Sequence, residues 1–358
     1  MLEQLREWGI DISAGQINEL LISGQETFHD EKDALLQAGL SASSYITVDD
    51  SGARHQGKNG CVTQMGNDLF AWFSSTKSKS RVNFLELLRA GKQDYYLTQA
   101  ALSYMEEHKL PLEPLKQLQQ HQDQHFCDQA QWSAFLDKLL ITRNSHCRIA
   151  TEGALLGSVL HHGLCKDLVI VSDDAGQFNI FNHALCWIHT ERLIHKMLPL
   201  NDAHRIDIAL VRDQIWTFYA DLKAYKATPS DAHKDVLNNR FDKIFTQHTS
   251  YATLNQQLKR IHKNKAELLL VLEHPEIPLH TNGSETDIRD YVKKRKVSGG
   301  TRSDEGRRCR DTFASLKKTC RKLGISFWQY LTDRLDVGEC SIPPLSGIVL
   351  ERASAPTY

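Results

Sequence analysis

The chain has 358 residues, of which 41% are hydrophobic and 24% charged, and its formal net charge is -1. That length predicts two or three packed units, and that composition excludes a disordered chain or a coiled coil. Near-neutrality, taken alone, argues against a protein that coats nucleic acid indiscriminately. No run of about 18 apolar residues is present, so no membrane span and no membrane partner are expected.

The residues from Met1 to Glu7 carry charges instead of the apolar core of an export signal. The eight cysteines are Cys61, Cys127, Cys147, Cys165, Cys186, Cys309, Cys320 and Cys340. None stands in a C-x-x-C pair, which argues against a zinc ribbon. Their scatter favours reduced thiols in the cytoplasm.

Residues 2–40 read as helices, with Ser13 placed to cap the one carrying Ile17, Leu20, Leu21 and Ile22. This stretch is either a packing arm or the tail of a helix-turn-helix unit. At Tyr45 the period becomes that of a strand. Tyr45 to Val48 ends in Asp49-Asp50, Gly57 to Gly60 is a turn, Cys61 to Met65 a second strand, and Leu69 to Phe73 a third. The aromatics Phe70, Trp72 and Phe73 are expected in the core. A helix follows, with Val82, Phe84, Leu85, Leu87 and Leu88 on or near one face.

Residues 93–147 read as a helical insertion containing the pair His121 and His125, which could share a helix face. Ala154 to Leu160 is a helix, and His161-His162 falls at a loop or helix end. Leu168 to Val171 is an uninterrupted apolar run, as in a central strand buried on both faces. It ends in Ser172-Asp173-Asp174. Ala184 to Trp187 is read as a further strand, followed by a helix over 190–197. Residues 198–275 are helical by pattern until Pro275 and Pro278. A helix begins near Ser284, and more follow through Phe313, Leu323 and Tyr330. The remainder, with Pro343, Pro344 and Pro356, reads as a tail.

These elements predict an α/β protein: a ribonuclease-H-like mixed sheet with helical insertions and helical N- and C-terminal segments. The expected divisions are 1–44 (N-terminal helices), 45–92 and 148–197 (two parts of the core), 93–147 and 198–280 (insertions), 281–335 (a glutamate-bearing helix and a basic region) and 336–358 (tail).

In α/β sheets, ligands bind at the C-terminal ends of parallel strands. Asp49 and Asp173 end two strands, with Asp50 and Asp174 as the alternatives one residue on. If the strands are neighbours, the carboxylates converge and repel one another unless a cation lies between them. A third acid, Glu285, stands at the start of the late helix, and Asn282 is spaced from it as in a capping box. Three acids of this kind can serve a pair of metal ions in phosphoryl transfer.

Three segments carry a more specific resemblance: Val-Asp-Asp-Ser at 48–51, Ser-Asp-Asp-Ala-Gly-Gln-Phe at 172–178, and Asn-x-x-Glu-x-x-Ile-Arg at 282–289. They resemble the acidic motifs of DDE transposases, most closely the insertion-sequence-66 type. Cys186-Trp187-Ile188-His189 and Ser303 to Arg308 agree with it. The resemblance implies a ribonuclease-H-like catalytic core in which Asp49, Asp173 and Glu285 hold two Mg²⁺ or Mn²⁺ ions. It implies cleavage and strand transfer of double-stranded DNA, at element ends and target, by a homodimer in a prokaryotic-type cytoplasm, at the nucleoid. His189 and Asn282 are candidates for the wall of the site.

Between Arg289 and Lys322 stand 13 basic and four acidic residues, a local charge of +9. Glycines at 299, 300 and 306 let the backbone approach phosphates. Arg289, Lys293, Lys294, Arg295, Lys296, Arg302 and Arg307 are the expected DNA contacts. The family carries a DNA-binding region and a cysteine-rich segment upstream of its core, and neither pattern occurs in these residues. A degenerate or repurposed transposase that binds or assembles on DNA is therefore a second expectation. A nuclease of the same fold that cuts without joining is a third.

Overall fold

The computed structural model describes residues 2–163, 167–338 and 341–355; Cys165, Cys340 and Pro356 lie outside them. The six cysteines within them are free thiols. The strands are β1 (Tyr45–His55), β2 (Lys58–Gly66), β3 (Ala71–Thr76), β4 (Tyr95–Tyr96), β5 (His125–Phe126), β6 (Val169–Ser172) and β7 (Asn182–Leu185). Five form one mixed sheet in the order β3-β2-β1-β6-β7, and β4 and β5 form a separate pair. No helix among the described residues is long and apolar enough to cross a membrane.

The chain makes two compact units. One comprises Met1–Ala42, Asp50–Leu164 and Thr286–Tyr358, the other Ser43–Asp49 and Cys165–Glu285. The first unit contains β2 and β3, paired antiparallel from Cys61↔Thr76 to Gly66↔Ala71. Phe70, Trp72 and Phe73 are buried there, as expected. β3 is a sheet edge, and its outward amides would be open to another strand. The helix Asp304–Lys322 closes them with side chains. Thr319 Oγ1 accepts from the Ala71 amide (3.1 Å), Ser315 Oγ from Phe73 (2.9 Å) and an Asp311 carboxylate oxygen from Ser75 (2.7 Å). The match is geometric. Two strand residues advance about 6.6 Å and four helix residues about 6 Å, so every fourth helical side chain meets every second amide.

In the same unit the helix Glu26–Ala42 is tied to later segments through Glu31, whose side chain is 8% exposed. Its carboxylate accepts from Arg334 Nε (2.8 Å) and Nη2 (2.9 Å), the Tyr330 hydroxyl (2.8 Å) and the Leu345 amide (3.0 Å). Burial pushes this acid up, but the hydrogen bonds from Arg334, Leu345 and Tyr330 outweigh it and hold the carboxyl below its usual 4.5. A depressed acid adds stability that is complete above its unfolded pKa and is lost as pH falls through the folded one. Glu31→Gln should therefore lower the urea midpoint at pH 7, and wild type and variant should converge in stability well below pH 4.5.

Several boundaries differ from the sequence reading. β1 does not end at Asp49 but runs on to His55, and the reversal is at Gln56-Gly57, both at positive φ. The predicted strand over 184–187 is β7 only to Leu185; Cys186 caps, and Trp187 begins, the helix Trp187–His195. His121 and His125 share no helix face, since the helix there ends at Gln119 and His125 lies in β5. The tail contains a helix, Leu345–Ser354, with Leu345 and Val349 buried. Pro344 precedes it, where proline starts a helix instead of breaking one. Ser13 does cap the helix Ala14–Ile22, in a full capping box with Gln16. His161 ends its helix, as expected.

The second unit contains the start of β1, with β6 and β7, all parallel. All four residues of β6 are buried. The predicted helical stretch is present as Asp202–Ala227, Asp231–Phe245, Ala252–Lys263 and Lys265–Leu268. Its apolar faces enclose Trp187 together with Phe218, Phe241 and Phe245. Trp187 is fixed further by Nε1 donating to the Leu268 carbonyl (3.0 Å).

Candidate acidic site

Parallel pairing sets Thr47 opposite Val171. Asp49 stands two residues after Thr47, still within β1, and Asp173 two residues after Val171, one residue past the end of β6, so both acids follow paired positions at the same end of neighbouring strands. Side chains two apart on a strand share a face, so Asp49 faces as Thr47 does. The Thr47 hydroxyl accepts from Ser284 Oγ at 2.5 Å. That bond brings the start of the helix Asn282–Ser298, with Glu285 in its first turn, to the face that carries Asp49.

The neighbouring acids have other partners. Asp50 is paired with Lys79, and exposed Asp174 accepts from Arg260 Nη2 at 2.9 Å. Asp173 accepts the Ala175 amide (3.1 Å) and adds to the proton affinity of His189. Phe178, the aromatic that closes the segment 172–178, is buried.

Glu285 lies 3.5 Å from His189 Nε2 and 3.3 Å from Arg192 Nη1. The imidazole is held above its usual 6.5, chiefly by the Cys186 thiol, against burial, and then by Glu285 and Asp173. Cys186 moves the other way. Burial pushes the thiol up, but hydrogen bonding to His189 and Thr281 brings it below its ordinary value. His189 thus touches Glu285 and feels the charge of Asp173. Thr281, not Asn282, precedes the helix, and its carbonyl accepts the Glu285 amide (2.9 Å). Asn282 is an exposed first-turn residue.

The profile of the transposase IS66 family matches residues 162–308. An uncharacterized protein, y4jO, of Sinorhizobium fredii is 45% identical over 321 residues, 89% of this chain and 100% of that protein. The chain belongs to the IS66 transposase family. The family stretch includes Asp173, His189, Arg192 and Glu285, whereas Asp49 precedes it.

For this family member the donor set is apt for a divalent cation, since hard cations of the Mg²⁺ type prefer carboxylate oxygens. Asp49 and Asp173 suit it by their strand register. Among the described residues, however, no group of three or more acidic, histidine or cysteine side chains is gathered as an ion would require. Glu285 is turned to His189 and Arg192. A cation would take that carboxylate in exchange for its two present partners.

Arg192 was missed in the sequence reading. It stands three residues after His189 in the helix Trp187–His195, a spacing that puts both on one face. That spacing was a usable signal. The bond between Thr47 and Ser284 carried none.

The expected DNA contacts lie in the other unit, except that their helix begins at Asn282. Arg289, Lys293, Lys294, Lys296 and Arg302 are exposed. Arg289, Lys293 and Lys296 follow at helical spacing along one face. Lys294 is held below its usual value by burial and by the nearby cations Lys317 and Arg310. Arg295 reaches Ser51 Oγ (3.4 Å), and Arg307 pairs with Asp304 (2.7 Å). Lys318 and Lys322 are turned to Asp287 and Asp290, so part of the +9 is balanced internally.

Proposed function

We propose that this IS66-family chain is a DNA transposase of the DDE type on a ribonuclease-H-like core, with Asp49, Asp173 and Glu285 as its metal-binding acids. What supports the reading is the parallel pairing of Thr47 with Val171, each two residues before a proposed acid, and the Ser284–Thr47 bond, which ties the residue next to Glu285 to the same strand. The sheet order, three strands by hairpins and then two in parallel, supports the core. Two Mg²⁺ or Mn²⁺ ions would supply charge stabilisation for the attacking and leaving oxygens. The protein's part is to hold the acids on rigid strands and one helix, and to place His189 and Arg192 beside Glu285. The basic face at Arg289, Lys293 and Lys296 lies along the helix Asn282–Ser298, and it would hold duplex phosphates. A homodimer acting on double-stranded DNA in a prokaryotic-type cytoplasm completes the reading.

The present engagement of Glu285 by Arg192 and His189 favours one competing reading, a repurposed protein that binds DNA without cutting it. Incubation with terminal-repeat DNA and Mg²⁺ separates the two. Transposase activity gives cleaved ends and joined strand-transfer products, both abolished by chelation. Nicks without joined products would make the chain a nuclease. Salt-sensitive binding without any cleavage would establish the repurposed protein.

A further inference from the structure

A cleft of about 440 Å³ in the second unit begins at Asp173 and His189 and extends along the helix Ala252–Lys263. Three cations, Arg192, Lys196 and Arg260, line it against two acids, Asp173 and Asp174. Arg192 is engaged by Glu285 and Arg260 by Asp174. Lys196 is exposed at the end of the helix Trp187–His195 and makes no ion pair among the described residues. Gln257 also lines the cleft, and its amide nitrogen is buried without a hydrogen-bond partner. A buried donor left unmatched is costly and calls for an acceptor. The cleft is therefore lined by a cation without an ion pair and by a residue with an unmatched amide donor, beside a candidate catalytic acid.

We infer that this cleft binds the phosphodiester backbone of a single DNA strand, held by Lys196, Gln257 and Arg260 next to Asp173. A phosphodiester suits these donors. It carries one negative charge and only acceptor oxygens toward them. The volume is that of a pocket for a nucleotide-sized group, and a duplex is too broad to enter. The inference rests on the DNA reading above and adds to it a second contact region. The basic face at Arg289 to Lys296 takes duplex phosphates, and the cleft takes the separated strand at the point of reaction. The segment 198–280 then supplies substrate contacts through Gln257 and Arg260 and is more than a packing insertion.

The test is binding of a single-stranded oligonucleotide and of a duplex, each by fluorescence anisotropy over a salt series, without divalent metal. Wild type is compared with Lys196→Ala, Gln257→Ala and the double variant Arg289→Ala/Lys293→Ala, all checked for unchanged thermal unfolding. Lys196→Ala should lower the salt slope for the single strand by about 0.7 and leave the duplex slope unchanged. Gln257→Ala should weaken single-strand binding about fivefold at every salt concentration, because a neutral hydrogen bond displaces no counterion. Arg289→Ala/Lys293→Ala should lower the duplex slope instead. An unchanged single-strand slope in Lys196→Ala, with the duplex slope still lowered in Arg289→Ala/Lys293→Ala, would overturn the cleft assignment alone. Failure of the wild type to bind either DNA would overturn the DNA reading and the cleft with it.

Discussion

Asp173→Asn should lower the rate of Mg²⁺-dependent DNA cleavage about 10²–10³-fold, the range for loss of one preorganised charge-stabilising group. Asparagine keeps the size of the side chain and the turn that accepts the Ala175 amide, so folding should be spared. What is lost is the negative charge just past the end of β6. Asp174→Asn is the matched control. It breaks the exposed pair with Arg260, worth roughly 0–1 kcal/mol of stability, and frees Arg260 for the strand, so cleavage should not fall as it does in Asp173→Asn. Asp49→Asn should behave as Asp173→Asn does. Asp50→Asn should reveal itself in unfolding, through its lost pair with Lys79. Equal cleavage by wild type and Asp173→Asn, measured on end-labelled DNA, would remove Asp173 from the acid set.

The largest loss of stability is expected at Asp311→Ala, about 3–5 kcal/mol, the usual cost of stripping one side of a buried charged network. Asp311 is 4% exposed. It accepts from the Ser75 amide (2.7 Å), the Ser75 hydroxyl (3.0 Å) and the Tyr291 hydroxyl (2.7 Å). Burial pushes its carboxyl above the ordinary range, and Lys32 is the main opposing charge. Alanine would orphan the Ser75 amide, leave the Ser75 and Tyr291 hydroxyls only each other (3.2 Å), and strip Lys32, itself buried over the Trp72 ring, of its largest counter-charge. Ser315→Ala removes one neutral acceptor from the same row and should cost only about 1–2 kcal/mol. Urea unfolding at neutral pH measures both. Equal midpoints for the two variants would show that the row acts as simple packing, without a dominant charge.

The parts of the fold legible in the sequence are those with an unbroken period. The apolar run of β6, the strand over Cys61 to Met65 and the helical stretch from Asp202 kept their assignment, while the third strand lies at Ala71–Thr76 instead of Leu69 to Phe73. Errors came where the period and the neighbours disagreed. Beyond Asp49, β1 is polar on both faces, so hydrophobicity gives no sign that it continues. Cys186 and Trp187 extend an apolar run, yet Trp187 is drawn into a helix by the aromatic cluster of Phe218, Phe241 and Phe245. β4 and β5 are two residues each, too short to show any period. The same division holds at the site. The apolar run before Asp173 marked a buried strand ending in an acid, but nothing local says that Ser284 reaches Thr47. The Cys186, His189 and Thr281 group likewise exists only through tertiary packing.

The pairing of Tyr45 with Val169 also sets a schedule for the growing chain. When Asp49 leaves the ribosome, its strand partner has not been made. Glu285 follows roughly 240 residues later, which at about 5–20 residues per second is about 10–50 s of synthesis. For about the first half of that interval, until β6 is made, the edge of β1 from Tyr45 to Thr47 that pairs with it is open. A nascent chain stalled before β6 should therefore be the species most prone to aggregate and the one chaperones hold longest.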